Sequence, residues 1–311
     1  MRKISKILAV SFSTLAIFLA FSMPILPGAK KMKFAGGSQG LTYYTMGDAL
    51  GKIGGFNWLT LTTRGTTQNI KMISASKAEL GFAQMDILIQ KALVKPLISR
   101  SVKILLPVYA EELHLLAVDG VDSISDLKGK NVSIGPSGSG VQGTTRLLLE
   151  TAGLSKSDMT INKSKTQVAL QKILIKKELD ALFIVAGAPA DMLAKLPTIA
   201  EKRIHLVEID DDLYQKLSAR YPYKRKTIKS SMYSWLKSDV KSMAVTSAIV
   251  GNSSLSSSFV KQLLDKVFKK QSQLAGRHRK WNDLNKAAIK DYVNRYSRYF
   301  HPAAAQYLRN L

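Results

Sequence analysis

The residues best suited to chemistry lie in Gly135-Pro136-Ser137-Gly138-Ser139-Gly140, between Val132-Ser133-Ile134 and an amphipathic stretch carrying Leu147, Leu148 and Leu149. Strand, glycine loop, helix is the implied order. Glycines let the backbone come close to a ligand, and serines add hydroxyl donors. A helix start just beyond the loop offers free N–H groups and a positive dipole end, which suits a carboxylate. A tight strand-to-helix turn without any ligand is the competing reading, and the loop alone does not choose between them. It lacks the Gly-Lys-Ser/Thr ending of a P-loop and is not G-x-G-x-x-G. The nucleophile elbow fails too, because Gly135-Pro136-Ser137-Gly138-Ser139 ends in serine where that motif needs glycine.

No other group of residues points to catalysis. The four histidines, His114, His205, His278 and His301, have no metal-ligand spacing to one another or to a near carboxylate. His114 and His205 fall in strand patterns, where a hydrogen-bonded structural histidine is expected. Asp210-Asp211-Asp212 reads as an exposed helix start, and no pair of carboxylates is set off by apolar surroundings. The chain has no cysteine, which excludes disulfides, thiolate metal sites and cysteine catalysis. No catalytic residue, metal or cofactor is expected, and a non-enzymatic binder fits best.

The elements that must position such a loop are legible from apolar runs and glycine punctuation. The 311 residues, 46% of them hydrophobic, can bury a core in about two domains. Lys33-Phe34-Ala35 reads as a short edge-like strand. Gly36-Gly37-Ser38-Gln39-Gly40-Leu41-Thr42-Tyr43-Tyr44 then leads into the amphipathic Met46–Ile53, a second strand, glycine loop and helix. Two such units in one chain weaken the ligand-free reading of each. Strands follow at 59–63 and 80–83, then two separate ones at 104–108 and 113–118, others at 160–162, 179–185 and 203–209, and a long one at 242–251. Helices fill the intervals, and the end from about Ser256 is mostly helical. Alternating strands and helices predict an α/β class with mostly parallel sheets, whose ligands bind in the loops after the strands.

Charge and the N-terminus bear on compartment and partners. There are 46 basic and 22 acidic residues, a net +24, which attracts nucleic acid or other polyanions in general. The two densest basic blocks, Tyr221-Pro222-Tyr223-Lys224-Arg225-Lys226 and Arg277-His278-Arg279-Lys280-Trp281, are short and sit in no nucleic-acid motif. A solvated basic surface, with no nucleic-acid partner, is expected. Arg2, Lys3 and Lys6 precede an apolar run from Ile7 to about Leu26, broken by Pro24, Pro27 and Gly28. Residues 1–29 thus read as a cleaved secretory signal or, if retained, a membrane anchor, and either places the body outside the cytoplasmic membrane.

Several segments together resemble the TAXI-type solute receptors of tripartite ATP-independent periplasmic (TRAP) transporters. Residues 36–44 are similar to that family's opening GGxxGTYY, Gly65-Thr66-Thr67-Gln68-Asn69 to its GSVEN, and Glu79-Leu80-Gly81-Phe82-Ala83-Gln84-Met85-Asp86 to its ADLGFVQSD. Asp126-Leu127-Lys128-Gly129-Lys130 with 135–140, Asp180–Phe183 with Ala186-Gly187, Tyr221-Pro222 and Tyr299-Phe300-His301-Pro302-Ala303-Ala304 follow in the family's order. The resemblance covers about residues 34 to 304. It implies a two-lobed periplasmic binding protein, type II-like, with the ligand cleft between lobes. Residues 30–118 and 243–311 would build lobe 1 and 119–242 lobe 2, with strands 113–118 and 243–250 as the hinge.

Carried over residue by residue, the resemblance places Gly37, Ser38, Thr42, Tyr43, Tyr44 and Gln84 on one wall of the cleft. Ser137, Gly138, Ser139, Gly140, Ala186 and Gly187 stand on the other. Leu41 stands where the family has Gly or Thr, and Val141 where Thr is common. Arg64 replaces a small residue ahead of Gly65; it either grips a carboxylate bidentately or points to solvent. The implied function is capture of a small organic anion, an amino acid such as glutamate or a dicarboxylate, and delivery by a monomer to the membrane subunits of a TRAP-type permease. The alternative is an exported binding fold without transport, which meets a protein or an anionic surface.

Overall fold

A computed structural model describes residues 31–311 except Asn57 and Thr198. The expected signal or anchor at 1–29 lies outside the described residues. The first glycine unit folds as strand, helix, strand, helix, strand, helix: β1 (Lys33–Gly37), α1 (Thr42–Gly54), β2 (Leu59–Thr62), α2 (Thr66–Ser74), β3 (Leu80–Gln84) and α3 (Met85–Val94). Short α4 (Pro96–Ser101) leads into β4 (Val102–Ala117). The second unit gives β5 (Asn131–Ser133), α5 (Gly140–Thr151), β6 (Thr160–Asn162), α6 (Thr166–Gln171) and β7 (Ala181–Ala186). Then come α7 (Asp191–Ala194), α8 (Ile199–Arg203), β8 (His205–Leu206), α9 (Asp211–Ser218) and β9 (Tyr223–Ile228). The chain finishes with β10 (Val240–Asn252), α10 (Ser257–Lys269), α11 (Gln271–Ala275), α12 (Lys286–Tyr296) and α13 (Pro302–Arg309).

The strands join in the order β2-β1-β3-β10-β4-β7-β5-β6, with β8 on β4 and β9 on β10. Two corrections follow. The sheet is mixed rather than mostly parallel: β1 pairs parallel with β2 and β3, and β5 with β6 and β7, but every pairing of β4 and β10 is antiparallel. Helical crossovers make the parallel pairs inside each half. The two long strands pass between halves in opposite directions, so they pair antiparallel. β1 is also not an edge; it lies between β2 and β3 and is almost wholly buried.

The strands expected at 104–108 and 113–118 are one strand of 16 residues. Glu111 and Glu112 look like a break in the sequence, yet the ladder runs through them, opposite Val245 and Ala244. The strand expected at 203–209 shrinks to His205–Leu206, because Ile199–Arg203 is helical. β9 replaces the expected surface block 221–226: Tyr223 is buried, and Arg225 pairs with Asp211 at 2.6 Å. Asp210 does start a helix, accepting from Leu213 N as the cap of α9.

Phe34, Phe82 and Trp281 are fully buried in the larger core, with Phe34 stacked on Trp58 at 5.0 Å. A smaller core gathers Leu182, Ile184, Tyr233 and Trp235 in the second half. Lys31–Leu311 forms one compact unit. β4 exchanges partners near Glu112, which faces both Ala244 of β10 and Ala186 of β7. β10 pairs with β9 up to Val245 and with β3 from Ser247. The crossing point of the two long strands is therefore where both halves come together.

Candidate ligand-binding cleft

A cavity of about 200 Å³ opens at this crossing. Ten of the residues expected in a cleft line it: Gly37, Ser38, Thr42, Tyr43, Arg64 and Gln84 from the first half, and Ser139, Gly140, Ala186 and Gly187 from the second. Tyr44, Ser137 and Gly138 do not. Ser137 is exposed, Tyr44 is half-buried on α1 away from the cavity, and Gly138 is engaged in backbone contacts. Its carbonyl accepts from Gln68 N at 3.3 Å and its N–H donates to Gln142 Oε1 at 3.1 Å.

Four helices start at this cavity. Thr42 begins α1, Thr66 begins α2 and Gly140 begins α5, while Gln84 precedes α3. The N–H groups of Thr42, Tyr43, Thr66 and Gly140 have no hydrogen-bond partner among the described residues. Helix N-termini leave such donors free and carry about half a positive charge each, so the wall they share favours an anion. Ser139 caps α5, its Oγ accepting from Gln142 N at 3.1 Å, which leaves its own O–H to donate. Gly65 holds φ 103° ahead of α2, in the left-handed region that favours glycine.

The two walls touch through small residues. A Cβ on Gly140 would overlap Gln84 Oε1, and one on Gly143 would meet Ile87 Cδ1 at 2.5 Å. Thr67 Oγ1 donates to Ser139 O at 3.4 Å across the same seam. Arg64 is exposed at the rim, with its Cδ 3.7 Å from where a Gly138 Cβ would stand. Its guanidinium forms no ion pair among the described residues. Tyr43 joins core and cavity: its ring stacks on Phe82 at 5.2 Å, while its hydroxyl reaches Ser247 Oγ at 2.6 Å and Glu111 Oε2 at 3.2 Å.

Two buried carboxylates stand against the expectation that no pair of carboxylates is set off by apolar surroundings. Glu111 lines the cavity and is 8% exposed. Its oxygens accept from Ser247 Oγ at 2.6 Å, Tyr109 OH at 3.0 Å and Tyr43 OH. Burial pushes its carboxyl up to about 7, only partly opposed by those hydroxyls. Asp86, fully buried at the start of α3, accepts from Tyr223 OH at 2.6 Å, Thr144 Oγ1 at 2.7 Å and Ile87 N at 2.8 Å. Burial raises its carboxyl too. Through Thr144 and Tyr223, Asp86 ties α3 to α5 and β9. The available signal for Glu111 was its spacing from Tyr109, which puts both on one face of a strand; only the joining of 104–108 to 113–118 makes it usable.

His114 is structural, as expected. It is fully buried with Nε2 2.9 Å from Tyr233 OH and Nδ1 3.0 Å from Glu112 O. The Glu112 carbonyl can only accept, so Nδ1 carries the ring proton and Nε2 accepts from the Tyr233 hydroxyl, whose oxygen in turn accepts from Ala190 N at 2.9 Å. Burial lowers the ring to about 4 and keeps it neutral. Among the described residues no group of three His, Asp or Glu could hold a metal ion, and no helix is long and apolar enough to cross a membrane.

The sequence pattern of the NMT1-like family matches residues 34–310, so the chain belongs to that family. In solved structures the fold is similar to the GluR0 ligand-binding core of Nostoc punctiforme in complex with L-glutamate, at 15% identity. That match covers 81% of this chain and 100% of the other, with a TM-score of 0.51. XAC2383 of Xanthomonas citri, solved bound to ATP, matches at 11% identity over 90% of this chain and 98% of its own, with a TM-score of 0.53. An ancestral arginine-binding protein bound to arginine matches at 12% identity over 81% and 97%, with a TM-score of 0.51. The fold is that of the two-lobed periplasmic binding proteins.

Proposed function

We propose that this member of the NMT1-like family is a solute receptor that closes two lobes over a small carboxylate-bearing molecule. The observation that carries the reading is the convergence of α1, α2, α3 and α5, by their N-termini, on one cavity between the halves. Unpaired N–H groups, the Ser139 hydroxyl and the Arg64 guanidinium would hold the carboxylate. Gln84 would add a donor and an acceptor, and Tyr43 would pack against the carbon chain. Nothing in the arrangement needs a reacting group, and the reading is of a binder, not an enzyme.

Residues 30–118 with 243–311 form one lobe in this proposal, and 119–242 the other. The partner exchange of β4 and β10 at the crossing supports a hinge there. Hinge closure then buries the ligand and gives membrane subunits a new surface to recognise. The ordered TAXI-like segments support delivery to a TRAP-type permease, with the body in the periplasm and monomeric.

A thermal-shift screen of the purified protein against amino acids, dicarboxylates and oxo acids tests the proposal. A ligand that binds only the folded state adds about 2.7 kcal/mol at a hundredfold excess over its dissociation constant. A shift that disappears in Ser139→Ala and Gln84→Ala supports the cleft. No shift with any acid, after unfolding and refolding to strip co-purified solute, refutes it.

A further inference from the structure

Glu111 has no counter-ion. Among the described residues no Lys, Arg or His lies within 4 Å of its carboxylate. Three hydroxyls hold it in place, and it lines the cavity together with the helix starts that favour an anion. The cavity therefore presents an acidic group and a set of N–H donors to the same small solute. A buried carboxylate without a cation is costly to ionise, so this one is built to meet positive charge or to keep its proton.

We infer that Glu111 receives the ammonium group of the ligand, so that the receptor is selective for amino acids over amine-free acids. This rests on the receptor reading above and narrows its substrate class. A zwitterion satisfies both ends of the cavity: its carboxylate meets the donors at Thr66, Gly140 and Arg64, and its ammonium supplies the cation that Glu111 lacks. An amine-free dicarboxylate bound in the same place requires Glu111 to stay protonated and donate. The titratable and charged groups around Glu111 are Tyr43 and Tyr109, which touch it, and Asp86, whose charge opposes its ionisation. Arg64 stands at the rim, and Lys280 Nζ is 5.9 Å from the centroid of the Tyr109 ring.

The two kinds of ligand give opposite proton linkage. With the carboxyl near 7 in the free protein, an amino acid expels the proton, and its affinity falls about tenfold per pH unit below 7. An amine-free acid captures a proton, and its affinity rises as pH falls.

The experiment is isothermal calorimetry on the purified protein at pH 6 in two buffers of different ionisation enthalpy. The probes are amino acids and their deaminated partners: L-glutamate with glutarate, L-aspartate with succinate, L-leucine with 4-methylpentanoate. The expected result is tighter binding of one amino acid, with proton release, and loss of about thirtyfold or more of its affinity in Glu111→Gln, as for one partner of a buried charge pair. The wild-type proton count needs no variant and stands even if Glu111→Gln folds poorly. Equal or tighter binding of the deaminated acid, or proton uptake with the amino acid, overturns the inference and leaves the receptor reading intact. No binding by any probe overturns both.

Discussion

The free protein should become less stable, relative to Glu111→Gln, as pH rises from 4.5 to about 7. In the unfolded chain Glu111 gives up its proton near the ordinary 4.5, whereas the folded protein holds it to about 7. Over that window the native state binds more protons than the unfolded one, so raising the pH favours unfolding. Each pH unit is worth about 1.4 kcal/mol, which makes the full change about 3 kcal/mol. A glutamine side chain cannot ionise, so the Glu111→Gln variant lacks this slope while offering an oxygen of similar position to the hydroxyls of Tyr109, Tyr43 and Ser247. Urea titrations of both proteins at half-unit steps from pH 4.5 to 8, without added ligand, give the difference directly. It should flatten above about pH 7.5 and below about pH 4.5. A difference in stability that does not change with pH would show that Glu111 is ionised and compensated in the free protein, and would refute the account of the site.

His114 should act in the opposite sense: its ring titrates at 6.5 when unfolded and at about 4 when folded. Stability from this residue is therefore lost as pH falls through that range, by about 3 kcal/mol, and His114→Gln should remove the slope in acid urea titrations. Asp86→Ala should cost about 2–6 kcal/mol in denaturant midpoint measurements, since it strands the buried hydroxyls of Thr144 and Tyr223 at about 1–3 kcal/mol each. Gly140→Ala should keep native circular dichroism yet lose about 1–3 kcal/mol, because its Cβ overlaps Gln84. Any ligand-induced thermal shift should shrink with it, and an unchanged shift would mean that the α5 start does not close on the solute.

Most secondary structure was legible because it follows from local patterns. Gly36–Tyr44 and Gly135–Gly140 each announced a strand, a glycine loop and a helix, and both loops border the cavity. The apolar run around Met243–Val250 gave a strand that does form. Charge obscured the rest. Glu111-Glu112 interrupted β4, and Tyr223-Lys224-Arg225-Lys226 resembled a solvated block, although both are ladder segments in the structure. A polar residue in a central strand reads as a break unless its partners are known, and those partners lie up to 136 residues away, as Ser247 does from Glu111.

The sequence alone determined what local chemistry can determine: which loops are glycine-rich, where helices start, and that the chain has no cysteine and no histidine pair at metal-ligand spacing. Tertiary structure decided the rest. It made the sheet mixed, brought four helix starts to one cavity, and turned Ser139 into a cap. It also placed Glu111 and Asp86 out of water. Burial and the pairing of distant strands are properties of the assembled chain; a carboxylate shows no sign of its environment until the residues that exclude water from it are in place.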